Sequence, residues 1–229
     1  MIIEKSTLET CSAATGIVVV IDVLRAFSTA AYAFGQGAKS ITLVSSVEDA
    51  FSLKKQFPYM RLMGETGGLP INGFDYSNSP TQIAKQDLTG CHLIQRTSAG
   101  TQGIIFSIHA TTLLATSFCC ASATARFIKQ QSENITTFVI TGRSEGGWGD
   151  EDDACADYIE KLIKGEKHDA LIYLQRVRES LVGEKFLDEN QPDFPSTDMD
   201  YCTSLDRFDF FMLVERQAGL FVMKPVIAD

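Results

Sequence analysis

The sequence predicts an α/β protein, a three-layer α/β/α arrangement around a mostly parallel or mixed sheet. Three observations carry that expectation. Short apolar runs of strand length alternate with longer amphipathic stretches along the whole chain. The first run, Ile17 to Ile21, is β-branched throughout and too continuous for a strand with one wet face, which marks a strand buried on both sides. Run after run then ends on a polar residue or a glycine, as strands do where they deliver functional groups to a cleft.

Taken in order, the elements read as follows. Asp22 ends the first strand, and Leu24 to Phe34 reads as a helix that stops at Gly35 and Gly37. Ser40 to Val44 is the next strand. Ser46, with Asp49 three residues on, starts a helix running to about Phe57, because hydroxyl and carboxylate satisfy free N–H groups there. Arg61 to Met63 is a short strand, followed by the turn-rich Gly64 to Pro80, rich in Gly, Asn and Pro. His92 to Gln95 reads as a strand that gives way to Arg96 through Gly103 and a further helix. Thr111 to Phe118 and Thr136 to Ile140 complete the sheet, each followed by helix. One domain over residues 1 to 229 is expected. Its tail, residues 166 to 229, is helical near Ala170 to Leu181, irregular to Ser196, and adds edge strands at Phe208 to Val214 and Leu220 to Val226.

The polar strand ends are the candidate site: Asp22, Glu65, Arg96 with Thr97, and Thr141 with Gly142. Arg25, Ser28 and Thr29 follow Asp22 at the start of a helix, where unpaired N–H groups and the dipole favour an anion. Arg25 can grip phosphate through two N–H groups, or simply pair with Asp22 as part of a helix cap. Thr97, Ser98, Gly100 and Thr101 form a hydroxyl-rich turn suited to phosphate oxygens, although a plain capped turn explains them too. Gly142 to Asp153 is a glycine-rich loop running into an acidic helix start. Mg²⁺ takes oxygen ligands, usually one or two carboxylates with waters and substrate phosphate, so Asp22, Glu65 and Asp152 are the candidate metal ligands. The plain alternative is that the acidic residues only complement the helix dipole.

Other chemistries find less support. A net charge of −9 with no basic run argues against nucleic acid. No run of about 18 apolar residues suggests a membrane span. The six cysteines lack paired spacing and read as reduced thiols, and the N-terminus has no secretory pattern, so the cytoplasm is the expected location. Cys120 to Arg126 matches the bare C-x-x-x-x-x-R pattern of cysteine phosphatases, but Ala-Ser-Ala-Thr-Ala prefers helix to a phosphate-wrapping loop. The three histidines form no metal-ligand spacing, and a Gly-x-Ser-x-Gly elbow is missing.

With these residues in place, the chain resembles the 2-phosphosulfolactate phosphatase family, magnesium-dependent enzymes of coenzyme M biosynthesis. The resemblance rests on Asp22 to Thr29, on Gly64-Glu65, on Gly73 to Pro80, on Gly100-Thr101, on Glu151-Asp152 with Ala156, and on Tyr201-Cys202. It implies a Mg²⁺-dependent phosphatase acting on the phosphate monoester of a 2-hydroxy carboxylic acid. Asp22 and Arg25 become the candidate catalytic residues, and Asp22, Glu65 and Asp152 the candidate metal carboxylates. Ser28, Thr29 and Asn78, with Thr101, become anion contacts. The chain departs from the family's usual residues at Thr66, Ser77, Arg96 to Ala99 and Cys120. The partner expected is a small anionic phosphate ester, with a homodimer left open. Attack by water or by Asp22, a non-catalytic anion-binding protein, and a Cys120 phosphatase stay open at this level.

Overall fold

A computed structural model describes residues 1–142, 149–188 and 190–227. In chain order, strand β1 (Ile2–Thr7) precedes β2 (Ile17–Ile21), helix α1 (Ala26–Gly35), β3 (Ser40–Leu43), α2 (Val47–Gln56) and β4 (Arg61–Thr66). Two short strands, β5 (Leu69–Pro70) and β6 (Tyr76–Ser77), and helix α3 (Pro80–Ile83) follow. Next come β7 (His92–Arg96), α4 (Gly100–Phe106), β8 (Thr112–Thr116), α5 (Ala121–Gln130), β9 (Ile135–Ile140) and α6 (Asp150–Lys164). The chain closes with α7 (Ala170–Glu179), α8 (Leu181–Glu184), α9 (Ser196–Cys202), β10 (Phe211–Gln217) and β11 (Leu220–Val226).

Ten of the strands run in the order β1-β9-β2-β8-β10-β11-β3-β7-β4-β5, with β6 beside β4. The expectation that the C-terminal strands lie at an edge is overturned: β10 and β11 sit in the middle. They are an antiparallel hairpin wedged between two parallel blocks, pairing with β8 through Met212 to Val214 and with β3 through Phe221 to Met223. The three antiparallel pairings make the β3-β7-β4 block run opposite to the β1-β9-β2-β8 block. Strand ends from the two blocks nevertheless meet. Neighbouring strands twist by roughly 20–25°, so the five steps from β2 to β7 rotate the second block by about 100–125°. Two strands that are opposite in sheet sense are thereby left about 55–80° apart.

Alternating side chains define the layers. Val18 and Val20 of β2 face one core together with Ile41, Met63 and Leu93 from the other block, and helix α1 fills that core. From Ala26 to Phe34 every residue of α1 is buried, so the sheet curls around it. Ile17, Val19 and Ile21 face the opposite core, packed on α5 and α6. A smaller core under α2 covers the far side of the second block through Leu62 and Ile94. The three-layer α/β/α expectation therefore holds. The Ser46 cap forms as the sequence predicts, with the Asp49 N–H donating to Ser46 Oγ at 3.0 Å. Among the described residues, no helix is long and apolar enough to cross a membrane.

Candidate active site

The site assembles at the end of β2. Asp22 is only 6% exposed, and its Oδ1 accepts the Ala26 N–H at 2.9 Å, which fixes the carboxylate across the first turn of α1. Gly100, where α4 begins, lies against its other oxygen: a Cβ there would sit 2.8 Å from Asp22 Oδ2 and 2.9 Å from the Ala26 methyl. This close approach needs a glycine. Gly64 is a second such position, with φ +148° and no room for a Cβ beside the Arg96 carbonyl. Burial raises Asp22 to about 6, and the negative charge of Glu65 adds to the rise.

Glu65 is the penultimate residue of β4, on the face that looks at α1. Its oxygens accept the N–H groups of Gly68 and Ser98 and, at 3.1 Å, the Ser98 hydroxyl. Strand register carries the same row across the block. Gln95, Met63 and Tyr76 are mutual partners, so Thr97, Glu65 and Asn78, each two residues on, share that face.

Asp152 does something other than expected. Its Oδ1 accepts the Val23 N–H at 2.8 Å, and its Oδ2 accepts the Thr141 hydroxyl and the Gly142 N–H, each at 3.0 Å. This 2% exposed carboxylate is committed to tying the ends of β2 and β9 to α6. Burial pushes its pKa well above the usual carboxylate range, with Glu151 and Asp22 adding to the effect. Its neighbour Glu151 is the residue that sequence reasoning passed over. Glu151 is 3% exposed, its Oε2 has no hydrogen-bond partner among the described residues, and burial with the nearby Asp22 charge raises it to about 7. The one available signal was its place in the Glu151-Asp152 pair.

Three carboxylates from Asp22, Glu65 and Asp152 do not form a closed metal cage. Among the described residues no group of three or more Asp, Glu, His or Cys side chains gathers around one ion position. Glu65 and Asp152 spend their oxygens on backbone and hydroxyl donors. Asp22 and Glu151 are the carboxylates with capacity left. A pair of carboxylates completed by waters and phosphate is a coordination that Mg²⁺ accepts.

Arg25 forms its ion pair elsewhere than the sequence suggests. Its partner is Asp198 of α9, at 2.8 Å, in place of Asp22. Nη1 also donates to the Asp193 carbonyl and Nη2 to the Gly68 carbonyl, each at 2.9 Å. The rings of Phe186 and Phe194 lie 5.3 and 4.9 Å from the guanidinium. Ser28, Thr97 and Thr101 were expected to touch a ligand, and the structure uses them inside the fold. Ser28 Oγ donates to the Val23 carbonyl, while Thr97 and Thr101 cap each other's N–H groups. Ser98 is exposed beside Glu65. Thr29 Oγ1 and Asn78 Oδ1 are buried and unpartnered among the described residues, which leaves both oxygens available. Arg96 donates to Thr66 Oγ1 at 2.9 Å, so two departures from the family pattern meet in space. Residues 143–148 of the glycine-rich stretch from Gly142 to Asp153 lie outside the described residues.

The cysteine alternative falls. Cys120 is fully buried, its thiol is pushed up by burial, and α5 starts directly after it, with Arg126 paired to Asp209.

Buried carboxylates and an arginine held in an ion pair thus gather near the strand ends of an α/β fold. A family model described as 2-phosphosulpholactate phosphatase matches residues 2–217. A protein of Bacillus subtilis (strain 168) named probable 2-phosphosulfolactate phosphatase is 40% identical over 210 residues, covering 91% of each chain. Relatives of the same name from Carboxydothermus hydrogenoformans and a Cyanothece strain are 37% and 29% identical. The first match spans 66% of this chain and 61% of the relative, the second 89% and 91%. The chain belongs to the 2-phosphosulfolactate phosphatase family, a family of phosphoric monoester hydrolases.

Proposed function

We propose that this chain is a Mg²⁺-dependent phosphatase that hydrolyses the phosphate monoester of a 2-hydroxy carboxylic acid such as 2-phosphosulfolactate. The observation that carries the reading is the pair of buried carboxylates from separate elements, Asp22 after β2 and Glu151 in α6, with Glu151 Oε2 unpartnered among the described residues. Burying such groups together is costly unless a cation or proton offsets them. Asp22 and Glu151 would hold Mg²⁺, which when bound supplies charge neutralisation for the phosphoryl oxygens. Asp22, fixed through Oδ1, would accept a hydrogen bond from the attacking water with Oδ2 and orient it. Arg25 would meet the phosphoryl group, and the Thr29 hydroxyl and the Asn78 side-chain NH₂, as donors, the remainder of the acid. A cytoplasmic enzyme with no nucleic-acid or membrane partner fits the acidic charge.

A panel of 2-phospho-hydroxy acids, assayed for phosphate release, tests this. Release is expected to stop with EDTA or with Asp22→Asn and to survive iodoacetamide. Release that survives EDTA refutes the metal assignment, and saturable binding with no release from any ester identifies an anion-binding protein instead.

A further inference from the structure

We infer that Asp198 is a positioning residue for this reaction, fixing the Arg25 guanidinium so that its unspent N–H donors face a phosphoryl oxygen. The inference rests on the phosphatase reading above. An arginine has five N–H donors, and described residues take three: both on Nη1, by Asp193 and Asp198, and one on Nη2, by Gly68. The Nε–H and the second Nη2–H have no described acceptor, and an oxyanion takes two such donors side by side.

Asp198 is itself rigidly held. It is fully buried, and its Oδ1 accepts the Ser79 hydroxyl at 2.7 Å and the Thr81 N–H at 2.9 Å, which aims Oδ2 at Arg25. Phe186 and Phe194 flank the guanidinium, and Phe194 also closes on Gly68, where a Cβ would come within 2.7 Å of its ring. Gly68 apart, every group that orients Arg25 comes from the stretch between Phe186 and Asp198.

This arrangement answers a problem set by the sequence. Arg25 lies three residues after Asp22, and an unrestrained guanidinium would pair with that carboxylate and cover it. Asp198 offers a buried, hydrogen-bonded alternative, so Arg25 stays aimed and Asp22 stays open. Holding a charged donor still before the substrate arrives is how such groups lower a barrier without reorganising.

The test is a double-mutant cycle on the full chain with Mg²⁺, reading phosphate release and, separately, inorganic phosphate affinity by calorimetry. Asp198→Asn is expected to lower kcat by about 10–100-fold with KM changed less than about threefold, and to leave a cooperative thermal transition. In an Arg25→Ala background the same substitution should change kcat by less than about twofold, because its whole effect passes through Arg25. Losses that multiply across the two sites, or wild-type kcat in Asp198→Asn, overturn the inference. Where Asp198→Asn does not fold, Ser79→Ala removes one support and leaves the ion pair. A severalfold fall in kcat that vanishes with Arg25→Ala then supports the inference, and no fall overturns it. If the wild-type chain releases no phosphate, the phosphatase reading fails by itself. Calorimetry then decides: weakened phosphate binding in Asp198→Asn, with no further loss alongside Arg25→Ala, upholds the positioning role, and unchanged binding overturns it.

Discussion

Asp22→Asn should make the metal-free protein more stable at neutral pH even as it removes activity. Asp22 sits at about 6 in the folded chain because burial and Glu65 oppose its charge, whereas an unfolded aspartate ionises near 3.9. A shift of about two units corresponds to roughly 3 kcal/mol of folding free energy withheld once the pH exceeds both values. The sign follows from proton counts. Between about pH 4 and 6 the folded state keeps a proton that the unfolded state has lost, so this contribution falls as pH rises and is fully lost above about 6. Below about 4 both states are protonated and the penalty is absent. Asparagine keeps the Ala26 cap through its carbonyl oxygen but turns an NH₂ toward the Gly100 N–H, a mismatch of about 1 kcal/mol. The net gain is about 1–2 kcal/mol, or about 2–8 °C in Tm for a chain of this size. Differential scanning calorimetry in EDTA from pH 4 to 8 measures it. The variant should melt above the wild type at pH 7.5, the difference should shrink to zero or reverse near pH 4, and added Mg²⁺ should raise the wild type more than the variant. A variant that melts below the wild type at pH 7.5, or a difference that ignores pH, refutes the burial argument.

Two further substitutions probe the same corner. Gly100→Ala forces a methyl to within 2.8 Å of Asp22 Oδ2, so kcat should fall by at least about tenfold with an unchanged circular dichroism spectrum; wild-type turnover would show that the contact is slack. Asp152→Ala strands the Val23 and Gly142 N–H groups and the Thr141 hydroxyl, and urea unfolding should show a loss of about 2–4 kcal/mol, with Asp152→Asn losing less; equal losses would mean that the ties do not matter.

Much of the fold is legible in residues 17 to 140, because β2, β3, β8 and β9 are buried on both faces there and are rich in apolar and β-branched residues. The hairpin is misplaced for a physical reason. Toward the turn Glu215 to Gln217 are all exposed and Leu220 and Phe221 half-buried, as in a free ribbon, since only three residues of each strand pair outward. Nothing local says that those three residues splice two parallel blocks together. Strand β1 is missed because Glu4, Lys5 and Ser6 break any apolar run, as an edge strand tolerates.

The site divides along the same line. Asp22 and Glu65 stand out because a charge closing an apolar strand has few other uses, and they do lie just past the end of β2 and just before the end of β4, beside Gly100 and Ser98 respectively. Asp152 and Glu151 show where such reasoning stops. Adjacent carboxylates in one helical turn look alike in sequence, yet α6 turns Asp152 onto the Val23 and Gly142 N–H groups and leaves Glu151 near Asp22 with one oxygen unpartnered among the described residues. Arg25 shows it more sharply. Its partner lies 173 residues away, in α9, between the irregular stretch that ends near Ser196 and the strand read from Phe208. The contacts that engage one carboxylate, spare its neighbour and turn Arg25 away from Asp22 are long-range, so a local motif can name candidate groups while the fold alone decides which of them stay free.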